Sequence, residues 1–256
     1  PVMKTLLYVI IAAITFLSTQ SWADTSKLSI ITEQYQPYNF IDPNDSSHKV
    51  QGIAVDLLVE MLKKTGSPQS RKDIQMQPWA RGYEAVKNEK NTLLFSTTRT
   101  KERENSFKWA CPINEIKTEV IALKSANIKI SDKKDLLKYQ IGSVRDDVGE
   151  QLVVAAGVPL GKLKRTAKYE SNLKKLQTSR IDLYVGSMDS IDAMCKNIGC
   201  NTDTFESVYI LDVSQLCFAF NKQTSDSLIN PLQKALDELV AQGKIEELHQ
   251  KYKAWK

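Results

Sequence analysis

The chain has 256 residues, 42% hydrophobic and 25% charged, a balance that excludes a disordered chain and allows one large domain or two of about 100 residues, each able to bury a core. The net charge is +5, with lysine and arginine interspersed among aspartate and glutamate. No basic block is interleaved with aromatic residues, so nucleic-acid binding has no support.

The first element is an apolar run, Leu6 to Leu17, behind Met3-Lys4 and ahead of Ser21-Trp22-Ala23. It falls short of the ~20 residues a membrane-spanning helix needs, and its small residues at the end fit a signal peptide. Residues 1–23 are therefore expected to be a secretory signal cleaved after Ala23, with Pro1-Val2 non-native. The mature chain is expected in the periplasm of a Gram-negative bacterium. Loss of Lys4 with this segment lowers the net charge from +5 to +4 over 233 residues.

Strand-like and helix-like segments then alternate, which predicts α/β architecture. "KLSIIT" (27–32) reads as a strand. Ile53, Ala54, Leu57, Leu58, Met61 and Leu62 recur at helical spacing up to Gly66. "DIQMQ" (73–77), "WARGYEAVKNEK" (79–90) and "TLLF" (92–95) give strand, helix and strand. After a strand-like "TEVIALK" (118–124) a similar unit follows: strands at "YQIGSV", "KLKRTAKY" and "IDLYVGS", helices at "GEQLVVAAG", at "ESNLKKLQTS" and from about Ser187. "QLCFAFN" (215–221) alternates as a half-buried strand, and two helices separated by Gly243 close the chain. Two similar halves joined by two strand-like segments predict two lobes with a double crossover and a ligand cleft between them.

Four cysteines in an exported chain invite disulfides. Cys195 and Cys200 enclose "KNIG", a short polar loop, and are expected to be bridged. Cys111 and Cys217 either pair or stand as buried thiols. Zinc is disfavoured, because the cysteines are not in close pairs and His48 and His249 lie far from them in sequence. No metal and no cofactor are expected.

The most unusual stretch is "FSTTRTKERENSFKW" (95–109), where a buried strand is expected to give way to hydroxyls, Arg99 and Arg103 beside the start of a helix. A guanidinium donating paired hydrogen bonds next to free helix-start amides would receive a carboxylate; the alternative is a solvated loop with a helix cap.

Four segments, in order, resemble the bacterial extracellular solute-binding proteins of the polar amino-acid type. They are "YQPYNF", "GIAVDLLVEMLKKTG", "TKERENSFKWACPI" and "LQKALDELVAQGKIEELHQKYKAW". The resemblance implies a two-lobed periplasmic-binding-protein fold (type II) with two hinge strands, lobe 1 at 24–119 and 219–256 and lobe 2 at 120–218. It implies a monomer that captures a small carboxylate-bearing ligand, an amino acid or a relative, and passes it to an inner-membrane ABC permease. By the same resemblance Arg103 clamps the ligand carboxylate with Thr98 and Ser96, and Tyr35 and Trp79 lie against the ligand. Arg81 either reaches the cleft or faces water. For Arg99 the reading is a solvent-facing or inter-lobe salt bridge.

The second lobe departs from the family pattern. A Gly-Thr pair is common after its first strand, whereas here "GSVRDDVGE" puts Arg145, Asp146 and Asp147 near the cleft. The family's ammonium-binding aspartate is matched by Ser187, with Asp189 two residues on. Asp146 is expected to compensate. The alternatives are an enzyme resembling cyclohexadienyl dehydratase, with Glu33 or Asp146 as general acid or base, and a soluble sensor. Against the enzyme, the chain lacks a Gly-x-Ser-x-Gly elbow, a His-Glu-x-x-His helix and a phosphate loop.

Overall fold

The computed structural model describes residues 27–253. The expected signal peptide, its cleavage point and Pro1-Val2 lie outside the described residues.

The first unit runs β1 (Ser29–Thr32), a small β2/β3 pair (Phe40–Ile41 and Val50–Gln51), α1 (Ile53–Lys64), β4 (Ile74–Met76), α2 (Trp79–Asn88) and β5 (Thr92–Arg99). β1 lies between β4 and β5, parallel to both. The apolar stripe of α1, including Ile53, Leu57, Leu58 and Met61, is buried in a core shared with β1, β5 and the C-terminal helices. Gly52 caps α1 at φ 128°, and a Cβ there would stand 2.3 Å from the Tyr38 carbonyl oxygen, so the helix enters at this angle only with glycine.

The second unit comprises β7 (Ile141–Val144), α3 (Val148–Ala155), β8 (Lys164–Thr166), α4 (Tyr169–Gln177), β9 (Leu183–Gly186) and α5 (Ile191–Ile198). β7 pairs in parallel with β8 and β9 and covers its own core. Two 17-residue strands, β6 (Phe107–Leu123) and β10 (Phe205–Asn221), join the units and pair antiparallel along their length. The eight strands therefore form one sheet in the order β4-β1-β5-β10-β6-β9-β7-β8. β5 attaches to β10 over Gln215–Phe220, and β9 to β6 over Glu119–Ile121, so the two half-sheets meet through the paired strands alone. α6 (Asp226–Ala241) and α7 (Lys244–Lys251), broken at Gly243 (φ 73°), return to the first unit and pack on α1.

Three expectations are corrected. The strand at 92–95 continues to Arg99, so Ser96, Thr97 and Thr98 are strand residues. No helix starts after it; Thr100 to Ser106 form turns closed by Arg103 N–H donating to the Thr100 carbonyl and Ser106 N–H to the Arg103 carbonyl. The linking strands are also far longer than 118–124 and 215–221. Pro112 hides the first half of β6: it falls where pairing skips from Ala110↔Phe218 to Asn114↔Leu216, a break in the ladder that tolerates the missing N–H.

Both cysteine pairs are bridged. Cys195–Cys200 closes the turn after α5 across a separation of 5, and Cys111–Cys217 ties β6 to β10 across a separation of 106.

Candidate functional site

The strand ends of both units converge on a small, partly open cavity of about 30 Å³ at the junction of the half-sheets. Tyr35, Ser96 and Thr98 line it from the first unit; Asp147, Val148, Tyr169, Gly186 and Ser187 from the second; Ile116, Lys117, Thr118 and Leu216 from the crossing strands.

Ser96 is turned by a bulge. Cys217 pairs with Thr97 and Phe218 with Phe95, leaving Ser96 outside the ladder at φ 58°. Its hydroxyl donates to Asn39 Oδ1, and Asn39 Nδ2 donates to the Glu33 carbonyl at 2.7 Å, so the bulge fixes the loop that carries Glu33 and Tyr35. Tyr35 stacks on Tyr38 of its own unit at a centroid distance of 5.5 Å and lies tilted against Tyr169 of the other at 5.4 Å.

Arg103 is 2% exposed and sits beside the cavity. Its guanidinium lies 5.5 Å from the Trp79 ring and 5.0 Å from the Tyr83 ring, a cation–π setting. It donates to Thr98 O at 3.3 Å, to Gln151 Oε1 at 2.9 Å and to Asp146 O at 3.4 Å, the last two across the lobe boundary. The Asp146 carbonyl also accepts from Trp79 Nε1 at 2.9 Å. Asp146 adopts φ 59°, a left-handed conformation that aspartate tolerates, and this turns its carbonyl toward the first lobe. Further contacts across the boundary join Tyr169 Oη to Glu33 Oε1 at 2.9 Å and Asn197 Nδ2 to Gln36 Oε1 at 2.8 Å.

Two buried carboxylates face this boundary, Glu33 and Asp147, at 5% and 8% exposure. Burial pushes the Glu33 carboxyl well above its usual range and the Asp147 charge adds to the rise, while the Tyr169 hydrogen bond opposes it. Burial likewise raises Asp147, against the pull of Arg103. Asp147 caps α3, accepting from Val148 N at 2.7 Å. The turn before it is held by Glu150, which accepts from Asp146 N, Ser143 Oγ and Arg165 Nε at 3.0, 2.9 and 2.8 Å. Burial raises Glu150, but Arg165 and these donors outweigh it and hold the group below the usual range.

Of the residues singled out from sequence, Tyr35, Ser96, Thr98 and Ser187 line the cavity, and Arg103 and Trp79 stand beside it. Asp146 reaches the first lobe by its backbone; its carboxylate points to Arg165 at 3.5 Å. Arg145 is exposed, and Arg81 lines a separate surface depression with Gln75, Gln77 and Glu84. Arg99 pairs with Glu104 of its own turn at 2.5 Å, so its salt bridge is local rather than inter-lobe. Sequence reasoning missed Tyr169 as a cleft residue and left Asp147 secondary to its neighbour; the start-of-helix position of both was the available signal.

The family model for bacterial extracellular solute-binding proteins, family 3, matches residues 28–254. The chain belongs to that family. No curated protein sequence matches it. Among solved structures, this family 3 chain is similar to a mutant of ArgBP from T. maritima, at 18% identity and TM-score 0.71, over 88% of this chain and 95% of that one. A histidine kinase sensor domain with similarity to periplasmic binding proteins gives 18% identity and TM-score 0.73, over 90% and 97%. The GluR0 ligand-binding core from Nostoc punctiforme in complex with L-glutamate gives 20% and 0.71, over 88% and 99%. The fold is thus the two-lobed α/β periplasmic-binding-protein fold, and these relatives are binding or sensor proteins.

Proposed function

We propose that this solute-binding protein captures an amino acid or close relative in the periplasm, between its two lobes, for delivery to an ABC permease of the inner membrane. The observation that carries this reading is the cavity lined from both lobes, with the buried guanidinium of Arg103 bonded to the carbonyl of Thr98, one of the cavity's lining residues. Its bonds to the carbonyls of Thr98 and Asp146 are long, at 3.3 and 3.4 Å, and a ligand carboxylate makes shorter, charge-assisted bonds. Structural relatives bound to arginine and in complex with L-glutamate support the ligand class. For the lobes we take 24–119 with 219–256 and 120–218; pairing of β6 with β9 from Glu119 supports the outgoing boundary, and pairing of β10 with β5 from Gln215 favours a slightly earlier return.

A thermal-shift screen of the secreted chain against amino acids, short peptides and organic acids tests this reading. A ligand at 100 times its Kd stabilises by about 2.7 kcal/mol. The expected result is a shift with at least one amino acid, lost in Arg103→Ala; an Arg103→Ala protein that still responds to the same compound removes the carboxylate clamp. A shift confined to the kinase-type role, with signalling but no uptake defect in a deletion strain, would favour the sensor suggested by the histidine kinase relative.

A further inference from the structure

Glu33 and Asp147 are an unusual pair to bury. They come from different lobes, Glu33 from the loop after β1 and Asp147 from the start of α3, and the Tyr169 hydroxyl sits between them, donating to Glu33 at 2.9 Å and facing Asp147. Among the described residues the buried cation in their company is Arg103, already engaged by Gln151 and two carbonyls and flanked by Trp79 and Tyr83, while Lys117 stands exposed at the rim. The pair thus has more negative charge than its surroundings neutralise.

A second observation points to a missing partner at the same place. Ser187 Oγ, in a residue 6% exposed, lines the same cavity as Asp147 and has no hydrogen-bond partner. The buried Tyr184 hydroxyl is also unpartnered and stands against Gly186, where a Cβ would come within 2.5 Å of it. Buried hydroxyls are ordinarily satisfied. A donor that is cationic, small and capable of several hydrogen bonds completes both the charge and the Ser187 hydroxyl. The cavity of about 30 Å³ admits about two water-sized groups, the scale of an ammonium head.

Resting on the reading that this cleft binds an amino-acid-like solute, we propose that Asp147 and Glu33, bridged by Tyr169, receive the solute's protonated amine, with Ser187 as a neutral partner. In this chain the charge that meets the amine then comes from the start of α3 and from lobe 1, not from the loop after β9, where Asp189 is exposed. The Asp146 side chain is not that partner, being turned to Arg165.

The groups facing Glu33 are Asp147, Tyr169, Glu170 and Arg103; those facing Asp147 are Arg103, Tyr169, Glu150, Tyr35 and Tyr184, with Lys117 exposed at the rim. Burial raises both carboxyls, and the Asp147 charge adds to the rise of Glu33, so a cationic amine placed between them lowers their affinity for protons. Affinity therefore rises with pH through the raised range of Glu33, and binding releases protons.

The test is isothermal titration of the secreted protein with two panels, the amino acids and putrescine on one side and glutarate, succinate and 2-oxoglutarate on the other, in two buffers of different ionisation enthalpy. We expect a compound of the amine panel to bind, with proton release, and Asp147→Asn to weaken it about 30-fold or more, the scale for removing one partner of a buried charge pair. Asparagine preserves the helix cap, and Ser187→Ala, which leaves both carboxylates, should weaken the same compound by a smaller factor. Amine binding untouched by Asp147→Asn and without proton release, or binding by the amine-free panel alone, overturns this inference while leaving a solute-binding cleft. Binding by neither panel overturns the cleft reading together with it.

Discussion

Asp56 and Glu33 are both buried carboxylates, and their partners give them opposite effects on stability. Asp56 accepts from Arg71 Nη2 at 2.6 Å, Lys251 Nζ at 2.6 Å and Tyr252 Oη at 2.8 Å, tying α1 to the C-terminal helix. Burial raises it, but these three donors outweigh burial and leave it below its usual 3.8. The unfolded chain binds the proton more readily, so this stabilisation is present above about pH 3.8 and is lost as pH falls through the folded value. Asp56→Asn should cost about 3 kcal/mol at neutral pH, by urea unfolding, because it takes the anion away from the half-buried Arg71 guanidinium and from Lys251. Glu33 has the reverse sign. Its folded carboxyl is raised above 4.5, so the folded chain holds the proton longer, and stability falls as pH rises from about 4.5 through the folded value. Glu33→Gln should therefore melt higher than the parent at pH 7 and no higher at pH 4; a lower melting temperature at pH 7 would mean that the carboxylate is satisfied as an anion. Residues of this kind were only partly legible in sequence. Arg103 could be found from its place in a recognisable segment, and Tyr35 from an aromatic-x-Pro motif. The buried acid pair was not, because its members are 114 positions apart and only the fold brings them together around Tyr169.

At the scale of elements, hydrophobic periodicity located the helices of both units, and short apolar runs located parallel strands such as β1 and the start of β5. It missed how far β5, β6 and β10 extend. Ser96, Thr97 and Thr98 are polar yet buried, being the part of β5 that serves the cleft, and Pro112 interrupts the pattern of β6. Bulges and ladder breaks at these places re-aim side chains and are invisible to a period of two. The two disulfides should differ in weight. By loop-closure entropy a bridge spanning 106 residues contributes about 5 kcal/mol and one spanning 5 residues about 2 kcal/mol. Replacing Cys111 and Cys217 by serine should lower the urea midpoint more than replacing Cys195 and Cys200; equal midpoints would show that the paired strands are held by their ladder alone.

For the whole molecule, two half-sheets joined only by β6 and β10 make a hinge of two strands, and the contacts between lobes at the cleft include a set of polar and aromatic ones, Trp79 and Arg103 with the Asp146 carbonyl, Arg103 with Gln151, Tyr169 with Glu33, Tyr35 with Tyr169 and Asn197 with Gln36, beside a buried cluster to which both lobes contribute apolar side chains such as Ile31, Leu94, Val144 and Leu173. The polar contacts among these exchange with water at small net cost. The double crossover was legible from the repetition of the strand-helix unit, and the boundary contacts were not, since they depend on the left-handed turn at Asp146. Hydrogen exchange of the secreted chain, with and without the compound that gives the largest thermal shift, tests the central claim of capture between the lobes. Protection should rise together in the segments 33–39 and 96–103 of one lobe and 144–150 and 186–190 of the other. Protection confined to one lobe, or centred on the surface depression around Arg81, would contradict it.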